Sequence, residues 1–152
     1  MKRLLIVHHA PSGNTRKLLD ASLGAIKAID AELRVTAHDS LEADAEAVRE
    51  CDGLLLATTE NFGAMAGRTK DFFERIYYPL GQSMAGLPAA CYIRAGEDGT
   101  GSRLGIDRIV TGLRWRWIQP PLVLKGPWEL GMVSSVEELA GTLAAGLSAD
   151  IF

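Results

Sequence analysis

Three short stretches hold the residues of this chain best suited to chemistry, and each is rich in glycine, hydroxyl or amide groups. The first is Pro11, Ser12, Gly13, Asn14 and Thr15, placed after an apolar run and before a helical pattern. Gly13 lets the backbone curl, and Ser12, Asn14 and Thr15 add side-chain donors to the unpaired amides that open any helix. Such a helix mouth attracts an anion, phosphate above all. The five residues include no lysine or arginine, so dipoles and hydrogen bonds would do the holding. The competing reading is an ordinary capped helix start. The second stretch runs Thr58-Thr59-Glu60-Asn61-Phe62-Gly63-Ala64-Met65-Ala66-Gly67, polar, then aromatic, then glycine-rich. It can set backbone N–H groups and one ring beside a flat ligand, unless Phe62 simply tucks into the core. The third is Ala95-Gly96-Glu97-Asp98-Gly99-Thr100-Gly101, many exposed amides with little bulk. Gly99, Gly101 and Gly105 nearly spell a dinucleotide fingerprint. The last spacing is one residue too long, however, and the fingerprint belongs after the first strand. A turn-rich connection is the alternative.

These stretches need elements to position them, and the chain alternates strand and helix patterns. Residues 4–8 form a short continuous apolar run, as in a strand covered on both faces. Residues 14–29 place Leu18, Leu19, Leu23 and Ile26 on one helical face. A strand is predicted over 33–37, a helix over 41–50, a strand over 53–58 and a helix over 66–78 stopped by Pro79. A strand over 89–94, a helix over 102–113 and a strand over 121–124 follow, and Ser135 with Glu138 suggests a capping box opening the last helix. Five strand–helix units without linker or repeat predict one α/β domain over 1–152: a three-layer sandwich with a five-stranded parallel sheet and helices on both faces. The leading strand order is 2-1-3-4-5. Ligands of such sheets sit at the carboxyl ends of the strands, where all three stretches fall.

Composition narrows the classes. Of 152 residues 47% are hydrophobic and 23% charged, and the net charge is −3, a folded chain without the basic excess of a nucleic-acid binder. No apolar run approaches the roughly 18 residues of a membrane span. The two cysteines, Cys51 and Cys91, form no paired motif, so a reducing cytoplasm is the expected compartment. His8 and His9 are neighbours in a predicted strand and point to opposite faces, a poor metal pair. Gly81-Gln82-Ser83-Met84-Ala85 misses the nucleophile-elbow pattern in context and in its last residue. Arg114-Trp115-Arg116-Trp117 reads as tryptophans packing on a sheet edge with arginines in solvent. Trp128, after the fifth strand, is a candidate for lining a substrate approach.

Pro11-Ser12-Gly13-Asn14-Thr15-Arg16 resembles the phosphate loop of flavodoxins and of NAD(P)H-dependent FMN reductases. Glu60-Asn61-Phe62-Gly63, followed by Lys70-Asp71-Phe72-Phe73, resembles the second flavin loop and next helix of that superfamily. The likeness covers essentially the whole chain and implies a flavodoxin-like fold. It implies an FMN phosphate at Pro11, Ser12, Gly13, Asn14 and Thr15, held by Ser12, Asn14 and Thr15. Thr59, Glu60, Asn61, Phe62 and Gly63 would then border the isoalloxazine ring, and Ala95, Gly96, Glu97 and Gly99 its pyrimidine end. Three departures stand out: Ala10 replaces the usual first Ser or Thr of the loop, His8 a common aromatic, and Thr58-Thr59 lacks the proline frequent in the reductases.

The implied activity is reduction of a quinone, flavin or similar small acceptor with NADPH or NADH as donor. FMN carries the chemistry, so no catalytic side chain is implied. The alternative is a flavodoxin, a one-electron carrier docking on a redox protein, and a third reading is a module that has lost its cofactor. Carriers usually present a strongly acidic face, so net −3 with scattered basic residues favours the reductase. Related reductases often form homodimers in which a second subunit completes the flavin pocket.

Overall fold

In the computed structural model, which describes Met1–Phe152 throughout, strand and helix alternate as expected. The order is β1 (Arg3–His8), α1 (Gly13–Ile29), β2 (Arg34–Asp39), α2 (Ala45–Arg49), β3 (Gly53–Asn61), β4 (Ala64–Met65), α3 (Gly67–Leu80), β5 (Pro88–Ala95), α4 (Thr100–Leu113), β6 (Arg116–Trp117), β7 (Leu122–Lys125) and α5 (Gly131–Ser148). The main strands pair in parallel in the order β2-β1-β3-β5, with β6 and β7 both on the far side of β5.

Side chains alternate across the sheet and so feed two cores. Leu5, Val7, Leu54, Leu56 and Ile93 face Phe72, Phe73 and Ile76 of α3 and Ile106 and Val110 of α4. Leu4, Ile6, Leu55 and Tyr92 face Leu18 and Ile26 of α1 and Val136, Leu139 and Leu143 of α5. Covering both faces explains why the central strands read as unbroken apolar runs rather than alternating ones. No helix of the chain is long and apolar enough to cross a membrane.

The sheet has seven strands where five were expected, for two reasons. β3 runs past the end of the sheet proper and folds back on β4 as an antiparallel hairpin, Glu60 opposite Met65 and Asn61 opposite Ala64. The fifth strand is broken. Ala89 pairs with Trp117 and Tyr92 with Leu122, so Ala90 and Cys91 stand opposite Ile118, Gln119, Pro120 and Pro121. The two prolines have no N–H to give a ladder, and the bulge falls where they stand, on the sheet's edge.

Other boundaries shift for local reasons. α2 spans only five residues, because Asp39 Oδ1 accepts from Leu41 N and holds the preceding segment in a turn. Asp44 then caps α2 by accepting from Ala47 N. α5 begins at Gly131, one turn before the predicted capping box, and buried Met132 already belongs to its apolar face. Ser135 therefore lies inside the helix, its hydroxyl donating back to Gly131 O at 3.0 Å. α3 runs through Pro79 to Leu80, since a proline in the last turn forfeits one ladder bond at an end that is closing anyway.

Candidate functional site

The carboxyl ends of β1, β3 and β5 form the crevice that an open α/β sheet reserves for ligands. On the β1 side stands the turn into α1. Ser12 is its N-cap: Ser12 Oγ accepts from Thr15 N at 3.1 Å, and Thr15 Oγ1 accepts from Ser12 N at 2.9 Å. This reciprocal box is built from serine and threonine, where glutamate or glutamine commonly fills the second place. It leaves the Gly13 and Asn14 N–H groups without a carbonyl to meet, as the first turn of any helix must.

Gly13 does not serve the backbone curl proposed for it. It is the first residue of α1, lies outside the left-handed region, and an added Cβ would meet nothing within 4 Å. Nothing in the fold demands a glycine here. A free N–H with no side chain beside it is, however, what an anion approaching the backbone needs.

Across the crevice stands the β3–β4 hairpin. Its tip is Phe62-Gly63, with φ +53° and +74°, the positive pair of a type I′ turn. Glycine and asparagine suit such a tip, whereas a bulky side chain there costs about 1–2 kcal/mol. Phe62 is fully exposed and touches no core, so the buried alternative for this ring is overturned. Strain at an exposed aromatic in the ligand crevice is an observation that asks for a function. Thr59 Oγ1 donates to Asn61 Oδ1 at 2.7 Å and stiffens the base of the hairpin.

The third stretch is tied to the second. Glu60 Oε1 accepts from Glu97 N at 3.0 Å and Glu60 Oε2 from Gly99 N at 2.8 Å. Two amides expected at a ligand's edge are thus already satisfied by the chain. Ser12 and Thr15, by contrast, bond only within their own turn. The failed glycine fingerprint finds its explanation here. Gly99 has φ +69° and lies against Val123, while a Cβ on Gly101 would stand 1.8 Å from Gly63 O and one on Gly105 3.0 Å from Met65 Cε. Gly101 and Gly105 let α4 dock on the hairpin, Gly99 lets its start lie against β7, and sequence reasoning read the pattern without these partners.

At the root of the first turn, His8 sits on the α1 side beside Asp39, and His9 on the other face near Arg68. Burial holds both imidazoles below their ordinary pKa, with the Arg68 charge adding to the effect on His9. Cys51 and Cys91 are buried, and burial pushes Cys51 up to about 12 and Cys91 higher still, so neither offers a thiolate nucleophile.

The tryptophans behave as packing residues. Trp115 is buried against Phe73 at 6.2 Å between ring centroids, and Trp117 Nε1 donates to Asp107 Oδ1 at 2.9 Å. Arg114 and Arg116 are exposed. Trp128 is half-buried against the α1–α5 core. A groove of about 600 Å³ lies between α4 and the broken fifth strand and is lined by Arg103, Asp107, Trp117 and Pro120 among others. It is wide open and away from the strand ends, whereas the crevice combines unpaired donors with a strained aromatic; the crevice is the better-founded site.

No protein-family profile matches the chain, and no curated protein does either. Solved structures do. A flavodoxin from the domain Archaea superposes with a TM-score of 0.78 at 14% identity, covering 96% of this chain and 99% of its own. A WrbA-like flavodoxin from Agrobacterium tumefaciens gives 0.77 at 10%, covering 98% and 99%. Rubredoxin oxygen:oxidoreductase from Desulfovibrio gigas gives 0.80 at 12%, this chain covering 37% of that longer protein. At such identities the likeness concerns architecture: the chain has the flavodoxin-like fold.

Proposed function

We propose that this protein binds FMN in the crevice at the ends of β1, β3 and β5 and works as an oxidoreductase. Its donor would be NADPH or NADH, and its acceptor a quinone, a flavin or a similar small molecule. The observation that carries the reading is Gly13: an amide without a partner at a helix mouth, with room at its missing Cβ, in a residue the fold has no reason to keep small. A phosphate monoester explains all three features.

The residues present fit that cofactor. The Gly13 and Asn14 amides, with the Ser12 and Asn14 side chains, would hold the phosphate, while buried Thr15 keeps the turn in shape. Phe62, Asn61 and Gly63 would border the ring system, with Thr59 bracing Asn61. Ala95 and Gly96 would lie at its pyrimidine end. The Glu60 carboxylate and the Glu97 and Gly99 amides are bonded to one another, so these groups would brace the wall beside the ring system. When bound, FMN supplies the redox chemistry, hydride uptake at N5 and delivery of electrons to the acceptor. The protein's share is to grip the phosphate, fix the ring and keep water from its inner side. No side-chain acid or base is required.

The test is a titration with FMN followed by flavin fluorescence and by backbone NMR shifts at Gly13 and Asn14, and then assays of NADPH and NADH oxidation with a quinone. Saturating FMN that left those two amides unmoved would sink the reading. A second reading, a one-electron carrier between proteins, is favoured by the end-to-end superposition on a flavodoxin. Bound FMN without turnover from either nucleotide would select it.

A further inference from the structure

The carboxylate of Glu60 has a geometry that ordinary solvation does not explain. It is half-buried, it accepts from two backbone amides two residues apart, and it does so across 37 and 39 residues of sequence. The same loop carries the carboxylates of Glu97 and Asp98, and Asp98 Oδ1 is itself bonded to Thr100 N. A carboxylate is a stronger acceptor for backbone amides than a neutral group, and one that holds two of them at once fixes their positions.

From this geometry we infer that Glu60 is a positioning residue that latches the loop 96–99 to the β3–β4 hairpin and turns them into one rigid jaw opposite the phosphate turn. Two further contacts close the jaw. Gly101 meets Gly63 backbone to backbone and Gly105 admits Met65, while Gly99, turning in the left-handed region, packs against Val123 of β7. Phe62 stands at the tip of this jaw. With the latch closed, the Glu97 and Gly99 amides are withheld from any ligand, the loop is fixed, and the exposed ring is presented at one distance from Gly13. The inference deepens the FMN reading and rests on it for what the jaw holds; the latch itself stands on the unliganded protein.

Two variants separate the possibilities. Glu60→Gln keeps the shape, yet offers one acceptor and sets a donor NH₂ against the second amide; Glu60→Ala removes both bonds. In the unliganded protein, exchange of the Glu97 and Gly99 amide hydrogens should accelerate on the order of tenfold or more in both variants, with Thr15 N unchanged. The FMN affinity of both variants should fall on the order of tenfold, and the visible circular dichroism of the bound flavin should lose amplitude because the ring is no longer held in one setting. A purely structural role would not move that last signature. Unchanged exchange at Glu97 and Gly99 overturns the latch, and so does accelerated exchange with wild-type affinity and dichroism. Failure of the wild-type protein to bind FMN would instead strike the functional reading, while the exchange result still decides the latch.

Discussion

The two sides of the crevice are built on opposite principles. The phosphate turn is local: Ser12 and Thr15 satisfy each other across three residues, and α1 follows at once. The opposing jaw is assembled at long range, from Glu60 to Glu97 and Gly99 and from Gly63 to Gly101. Both sides use glycine, and the two uses differ. Gly13 is small toward empty space, whereas Gly101 is small toward another backbone. At Gly13 the fold makes no demand on the missing side chain, whereas at Gly101 packing requires that it be missing. The contrast shows which residues are spared for function and which are spent on the fold.

The sharpest way to break the contrast is to add one methyl group to each side. Gly101→Ala gains helix propensity worth under about 1 kcal/mol, but it drives a Cβ to 1.8 Å from Gly63 O. Backbone cannot swing away as a side chain can, so overpacking of about 3 kcal/mol should win. The net loss of about 2 kcal/mol would appear as a Tm lowered by roughly 4–8 °C. Gly13→Ala should hold or slightly raise Tm and weaken FMN binding. Equal destabilisation of the two variants would erase the distinction.

Ser12→Ala comes next. It removes the N-cap acceptor of Thr15 N while Thr15 Oγ1 keeps its bonds to the backbone of residue 12, costing about 1 kcal/mol of stability. The fall in FMN affinity should be measurable by titration at the same time, because hydroxyl and turn geometry go together. Loss of stability with unchanged affinity would reduce the turn to a plain helix cap.

Phe62→Asn should move the two quantities in opposite directions. Asparagine accepts a positive φ more readily, so relief of backbone strain should stabilise the unliganded protein by about 1 kcal/mol. Removing the ring should weaken flavin binding and restore flavin fluorescence. A variant that was less stable and bound FMN as before would make Phe62 an incidental surface residue.

How far sequence could see follows the same line. The turn at Ser12 was legible because its hydrogen bonds span three residues, and the central strands were legible because burial on both faces leaves unbroken apolar runs. The jaw was not. The acidic partner of the Glu97 and Gly99 amides lies 37 and 39 residues away, and Gly99, Gly101 and Gly105 look like a defective nucleotide motif until Gly63 and Met65 stand beside them. The broken fifth strand escaped for a related reason: Ile118-Gln119-Pro120 reads as the approach to a strand starting at Pro121, and only pairing with β5 shows Arg116 and Trp117 to belong to the sheet. Ser135 misled because its residue type permits a cap, while burial of Met132 had already started the helix.

The smallest expected effect is a pH dependence confined to the base of the phosphate turn. Burial holds His8 and His9 below their ordinary pKa; Asp39 and Glu42 oppose this at His8, and Asp39 at His9, without cancelling it. The His38 charge adds to the lowering at His8, as the Arg68 charge and then that of His8 do at His9. The unfolded chain, with histidines titrating near 6.5, therefore binds more protons than the folded one between that value and the depressed ones. Stability should be fully present above about pH 6.5, decline as the pH falls through the window below it, and level off once the folded imidazoles are charged as well. The decline should be local in structure. Protection of the Thr15 amide hydrogen, corrected for the intrinsic slowing of exchange in acid, should fall through this window while that of the jaw's Gly99 N–H holds. His8→Asn with His9→Asn should flatten the pH dependence of Tm there. Persistence of the slope in that double variant would assign it to groups outside the turn and leave the two sides of the crevice indistinguishable in their response to protons.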